Sequence, residues 1–344
     1  MTNRGDSIAR KRGGKSRSDE REWTDLMDAK AADLESNPID IDGPAPKPTE
    51  VDGDPSEGAW AEQEEDEFGM DERLDALDRA GESFHWMKER RFRRMFREIE
   101  GQLSGVLGKG GYDWVDRRVF DQVFDQSTLM AVYKLMNKGH IDTLDWPIAR
   151  GKEAHVFHAT APSGSVAVKI FHTSNAVFKG LLQYIEGDPR FGGLRRRHRE
   201  LVNVWVRKEN RNLLRMRKNG VRVPEPLAVF RNVLIMDYLG DENGPSPRLK
   251  DLKVENAEEI YQSLLEQLKL IWQDSRLAHA DFSEYNVLIH EGEPWIIDVG
   301  QAVDVAHPNS KEYLVRDVTR LVQWANRNGV EVEVADAMLK VLAE

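Results

Sequence analysis

Apolar positions along the 344-residue chain change their spacing twice. Up to about Met70 they are sparse, set among Asp, Glu, Gly, Pro and Ser, with Pro44, Pro46 and Pro48 at alternate positions. Such a stretch cannot bury enough surface to offset the entropy lost on ordering, so residues 1–70 are expected to form a disordered acidic tail. Between about 84 and 138 the spacing is helical. Trp86, Met87, Phe92, Met95, Phe96, Ile99 and Leu103 share one face of a predicted helix over 84–106, whose remainder is basic. A second predicted helix, about 116–138, carries Val119, Phe120, Val123, Phe124, Leu129, Val132, Leu135 and Met136, and Gly139 reads as its stop. After residue 145 short β-rich runs appear: 155–160, 166–171, 227–230 and 233–236, the last two joined by a two-residue turn at Arg231-Asn232. Helices follow at about 199–219 and 255–275. Two short strands, 286–289 and 295–298, flank the turn at 291–293. Helices at about 311–327 and 332–343 close the sequence.

Charge sharpens this division. The formal net charge is −11, of which residues 1–70 contribute −10, so the body is nearly neutral. The bases at 10–12, with Lys15 and Arg17, offer a nucleic-acid contact, but a solvated tail is the plainer reading. Cysteine is absent. That excludes disulfides, Cys-ligated zinc, iron–sulfur clusters and a thiol nucleophile. No apolar run is long enough for a bilayer, and the first residues lack an apolar signal core, so a soluble cytoplasmic protein with no membrane partner is expected.

The chemistry concentrates in two stretches, His279–Asn286 (HADFSEYN) and Trp295–Gly300 (WIIDVG). Asp281 and Asn286 stand five apart, and Asp298 follows a strand–turn–strand. This spacing suits metal-dependent phosphoryl transfer: one carboxylate orients the attacking hydroxyl or water, while an amide oxygen and a second carboxylate hold Mg2+. Loop residues meeting by chance are the alternative for the first motif alone; the Ile-Ile-Asp that follows argues against it.

Upstream, Val166-Ala167-Val168-Lys169 fits the strand pattern that brings a lysine to the α and β phosphates. Glu209, forty residues on in a predicted helix, is placed to pair with it. Before that strand, Ala149 to Val156 occupies the frame of a glycine-rich phosphate loop in which only Gly151 of three glycines survives. Lys152 is a candidate phosphate contact there, with an exposed loop lysine as the equal alternative. His155, His158, His172 and His290 lack metal-ligand spacing and are read as structural or exposed.

Taken together, GKEAHVFHA, VAVKIFHTSNAVFKG (166–180), RKENRNLLRM (207–216), HADFSEYN and IIDVGQAV resemble the RIO family of atypical serine/threonine protein kinases, over about 145–320. Thr173-Ser174 to Phe178-Lys179 is similar to the first (Rio-one) branch. The resemblance implies an α+β, two-lobed protein-kinase-like fold of RIO type. Its C-lobe is shortened, 46 residues following Asp298. The helical spacing gives an N-terminal helical extension over 71–145, and the resemblance implies an N-lobe over 146–238 and a C-lobe over 239–344. It further implies ATP and Mg2+, with Lys169 and Glu209 as the ATP-anchoring pair, Asp281 as catalytic base, and Asn286 and Asp298 as metal ligands. Met236 would guard the back of the adenine pocket, with Asp237 and Leu239 meeting the adenine edge. Asp298 would also accept phosphate as an aspartyl-phosphate, making ATP hydrolysis a working cycle.

The sequence has HAD where ordinary protein kinases have HRD, Val299 in place of the Phe of DFG, and no A-P-E triplet, all in keeping with the RIO pattern. Arg190, Arg195–Arg197, Arg199, Arg207, Lys208, Arg211, Arg215, Arg217, Lys218 and Arg222 form a basic stretch suited to RNA phosphates, with a solvated helix face as the alternative. The resemblance adds a pre-ribosomal small subunit and its RNA as partner; DNA is not expected. Two competing readings are an ATP-gated RNA-binding assembly factor with little kinase activity, and a small-molecule kinase sharing the same motif spacing.

Overall fold

The computed structural model describes residues 101–103, 124–173, 178–191 and 198–343, all within one compact unit. The acidic segment 1–70, nearly all of the predicted 84–106 helix, the start of the second helix and Arg195–Arg197 lie outside the described residues. Helix α1 (Gln126–Asn137) begins where Asp125 Oδ1 accepts the Thr128 N–H at 2.7 Å, so Phe124 precedes the helix it was expected to join. It ends as read from Gly139. That residue has φ 75°, its N–H reaches Met136 O at 2.9 Å, and the His140 N–H reaches Leu135 O at 3.0 Å. This pair of bonds closes a helix on a left-handed glycine.

Five antiparallel strands follow: β1 (Thr143–Arg150), β2 (Ala154–Ala161), β3 (Gly164–Phe171), β4 (Pro226–Phe230) and β5 (Val233–Asp237), in the order β1-β2-β3-β5-β4. β1 begins at Thr143, ahead of the expected boundary at 146. Its alternation is masked by Asp145 and by Pro147, on either side of which the pairing with β2 slips. The period of two then sorts the sheet's faces. Phe157, Ala159, Val166, Val168, Ile170, Val233 and Ile235 pack beneath Leu129, Val132 and Leu135 of α1. Val156, Ala167, Lys169 and Met236 consequently share the opposite face. Cross-strand pairs fix their register: Val156 opposite Lys169, and Ala167 opposite Met236.

Helix α2 (His198–Lys218) packs on β4 and β5. A small ribbon, β6 (Gly240–Asp241) with β7 (Gly244–Pro245), follows β5. The lower lobe comprises α3 (Ala257–Gln273), α4 (Ser310–Arg327) and α5 (Val334–Leu342) around one core. Two short antiparallel pairs are set into it: β8 (Leu277–Ala278) with β11 (Val303–Asp304), and β9 (Val287–His290) with β10 (Glu293–Ile296). Residues 279–286 link β8 to β9, and 297–302 link β10 to β11. This topology carries the three oxygen-bearing side chains to one place. No helix among the described residues is long and apolar enough to cross a membrane.

Candidate active site

Lys169 leaves β3 on the face away from α1 and is buried. Its Nζ donates to Glu209 Oε1 at 2.6 Å and Oε2 at 2.9 Å, and to Asp298 Oδ1 at 3.0 Å. Glu209 comes from the middle of α2 and Asp298 from the turn after β10, so three distant segments meet at one ammonium group. Burial alone would pull the Lys169 proton off more easily, but the Asp298 and Glu209 carboxylates outweigh it and the pKa is raised. The Asp298 carboxylate, about half exposed at 48%, is held below the usual range chiefly by the Lys169 charge.

Asp298 has φ 59°, a conformation that L-residues avoid unless their surroundings impose it. The surroundings here are α2. Lys208, fully buried, donates to Gly300 O at 2.7 Å and Ala302 O at 2.5 Å. Asn212 Nδ2 donates to Val299 O at 2.8 Å and Ala302 O at 3.0 Å. A Cβ on Gly300 would stand 3.0 Å from Trp205 Nε1 and 3.1 Å from Glu209 Oε2, so the glycine permits this close approach. Burial, then the Arg190 charge, pushes the Lys208 ammonium well below its ordinary pKa. Lys208 and Arg190 were counted in the basic RNA-facing stretch; the structure turns both inward. Arg190 grips Asp188 at 2.7 Å and Asn212 at 2.8 Å. Arg215 pairs with Asp304 at 2.9 Å.

The second half of the site is the 279–286 loop. Asn286 Nδ2 donates to the Asp281 carbonyl at 3.0 Å, and the Ile297 N–H bonds Asn286 O at 2.9 Å, setting Asn286 beside the residue that precedes Asp298. Asp281 Oδ1 accepts from Arg320 Nη1 at 3.0 Å. Ala280, between His279 and Asp281, has φ 66°. Asp317 of α4 holds it there: Oδ2 takes the Ala280 N–H at 2.8 Å and Oδ1 takes the Phe282 N–H at 3.1 Å. Arg316 bonds the Ala280 carbonyl. Sequence reasoning overlooked these α4 residues. The signal was an acid inside the apolar stripe Tyr313, Leu314, Val318, Leu321, where an unpartnered carboxylate is too costly to keep.

The remaining predicted residues border the cluster. Val156 and Met236 are half-buried on the Lys169 face, joined by Ala167, which the sequence reading had not singled out as a binding residue. The Asp237 N–H is bonded to Glu225 O at 2.9 Å, and Leu239 O accepts from Ser246 at 2.9 Å. Gly151 closes the β1–β2 turn through Ala154 O at 2.9 Å. Lys152 is exposed in that turn. Its neighbour Glu153 is the loop residue that feels the cluster: burial, then the Asp298 charge, raises its pKa to about 7. Among the histidines, His155 bonds His172 at 3.0 Å and His158 bonds Asp145 at 2.8 Å.

Glu153 makes the ligand-free protein pH-sensitive. An acid whose pKa is raised on folding stabilises fully below the unfolded value of 4.5 and loses that contribution as pH rises to about 7. The carboxyl is only partly buried, so the loss is on the order of 1–2 kcal/mol. Glu153→Gln is expected to remove it: melting temperatures of wild type and variant, compared from pH 4.5 to 8, should diverge in the variant's favour as pH rises. Parallel curves would show the carboxyl to be solvated.

An antiparallel sheet with a helical lobe, and a lysine–glutamate pair close to an Asp/Asn/Asp oxygen set, is the layout of a protein-kinase-like fold. The RIO domain matches residues 155–338. The chain belongs to the RIO family of atypical serine/threonine-protein kinases. It is 42% identical over 217 residues to the RIO-type serine/threonine-protein kinase Rio1 of Haloferax volcanii, covering 63% of this chain and 74% of that one. Serine/threonine-protein kinase RIO1 of Caenorhabditis elegans is 37% identical over 67% of this chain, which spans 47% of that relative; for the human RIO1 kinase the values are 37%, 64% and 40%. Among solved structures, the Rio2 kinase of Chaetomium thermophilum has a TM-score of 0.48 at 22% identity, over 63% of this chain and 68% of that one. Its ADP/Mg2+–phosphoaspartate complex gives 0.47 at 19%, over 69% and 78%.

Proposed function

We propose that this chain binds Mg2+–ATP between its lobes and moves the γ-phosphoryl group to serine or threonine hydroxyls, its own included, or through Asp298 to water. We further propose that it works in the cytoplasm on a maturing small ribosomal subunit. The observation carrying the catalytic reading is the Lys169 ammonium bonded to both Glu209 and Asp298, with Asp281 and Asn286 alongside.

The donor set fits Mg2+. Asn286 spends its Nδ2 on the Asp281 carbonyl, leaving an amide oxygen, and Asp298 presents a half-exposed carboxylate. Two hard oxygens suffice for an ion that keeps waters and takes phosphate oxygens. When bound, the metal would neutralise charge on the transferring phosphoryl group. Lys169 holds the α and β phosphates, and Asp281 takes the proton of the attacking hydroxyl. In the hydrolytic branch an Asp298 oxygen attacks the γ-phosphorus, the bond to the β-phosphate oxygen breaks and ADP leaves. Water, giving its proton to Asp281, then cleaves the acyl phosphate.

Incubation with γ-labelled ATP followed by hydroxylamine tests the branch. Label lost to hydroxylamine is acyl phosphate; label that survives is on a hydroxyl. Protein carrying only hydroxylamine-stable label at every time point would eliminate the Asp298 route. The ribosomal reading draws on the exposed Arg207, Arg211 and Lys218 of α2. It expects salt-sensitive binding to small-subunit RNA.

A further inference from the structure

Asp281 is approached unequally from its two sides. Asn286 Nδ2 and Gln301 Nε2 lie 3.4 Å from Oδ2, at the edge of hydrogen-bonding range. Arg320 Nη1 donates to Oδ1 at 3.0 Å and to the Phe282 carbonyl at 3.2 Å. The guanidinium therefore fastens one carboxylate oxygen to the loop's own backbone and leaves the other loosely held. Arg320 is on α4, one turn beyond Arg316 and Asp317, so the helix that shapes the loop also orients its carboxylate. The Arg320 side chain is 37% exposed and lines a pocket of about 250 Å3 beside Asp281, together with Ser283, Tyr285 and Gln323. That volume is below the roughly 300 Å3 at which pockets hold drug-sized molecules. It suits one side chain with its adjoining backbone.

We propose that Arg320 is the positioning residue for Asp281, and that the pocket beside this pair admits the acceptor hydroxyl of a serine- or threonine-bearing segment. The inference rests on the phosphotransfer reading above. A base must offer one oxygen to the acceptor and keep its plane fixed. Arg320 Nη1, bonded to both Oδ1 and the Phe282 carbonyl, ties the carboxylate to the loop backbone, and a misplacement of about 1 Å costs on the order of a hundredfold in rate.

The test uses the full chain and three readouts: Mg2+–ATP binding, ATP hydrolysis without acceptor, and transfer to dephosphorylated casein as a generic acceptor. Arg320→Gln is expected to leave the ATP Kd within about twofold and to lower kcat for hydrolysis and transfer about tenfold to a hundredfold, with Arg320→Lys recovering part of the loss. Gln323→Trp, which fills the pocket from the exposed side of α4, is expected to cut the ratio of casein transfer to hydrolysis about tenfold. Unchanged kcat in Arg320→Gln, or ATP binding lost in step with turnover, would overturn the positioning role. Transfer and hydrolysis falling equally in Gln323→Trp would overturn the pocket. A wild-type chain that binds Mg2+–ATP yet neither hydrolyses nor transfers it would instead sink the phosphotransfer reading, and this proposal with it.

Discussion

On the proposed function, Asp298→Asn is expected to reduce ATP hydrolysis and autophosphorylation by about a thousandfold or more, since it would remove a charge proposed to hold the metal and so forfeit several kcal/mol of transition-state stabilisation at about 1.4 kcal/mol per tenfold. The fold should survive for two reasons. Asp298 keeps its side chain about half exposed, so no cavity opens. Its φ of 59° is one that asparagine, unlike alanine, adopts at little cost. Glu209 remains to neutralise Lys169. Single-turnover hydrolysis across a Mg2+ titration, with circular-dichroism melts alongside, checks the outcome. A folded variant with normal turnover would refute the metal-site assignment.

Lys169→Met is expected to lose turnover as well, and here stability falls with it. The substitution strands the Glu209 carboxylate, which is 1% exposed, without its cation. Breaking a buried pair from one side costs about 3–5 kcal/mol, whereas replacing both partners by apolar residues is often near neutral. Lys169→Met/Glu209→Met is therefore expected to recover most of the lost stability and none of the activity. Urea midpoints measured beside ATP turnover separate the two effects. A single variant as stable as wild type would mean that the pair is not closed in the free protein.

Both predictions rest on residues legible in the sequence, and the reason is local. The apolar residues on both sides of Lys169 mark it as a lysine set within a strand, at Val166-Ala167-Val168-Lys169. The spacing of Asp281, Asn286 and Asp298 around a strand–turn–strand survived into space because β9 and β10 form a tight hairpin. What sequence could not supply was the identity of each charge's partner. Lys208 sits in a run of arginines and reads as one more solvated base, yet it is buried against two carbonyls. Asp317 lies 36 residues beyond Asp281 and acts on it through backbone N–H groups, which leave no mark in residue spacing. Strand β1 was overlooked because Pro147 and Asp145 break its alternation, although pairing with β2 holds it in the sheet. Lys152 was put forward from the glycine-rich frame, but Glu153 is the residue that senses the cluster, a matter of how the turn is rotated.

Helix α2 holds the ammonium's partner Glu209 and, within the same turn, Lys208 and Asn212, which grip the chain after Asp298. Swinging such a helix outward is one way to silence a phosphotransferase. Here that motion would tear out four hydrogen bonds to main-chain carbonyls together with an enclosed ion pair. On the proposed function, these bonds disfavour control by an outward swing of α2 and would leave control to the binding of nucleotide and acceptor.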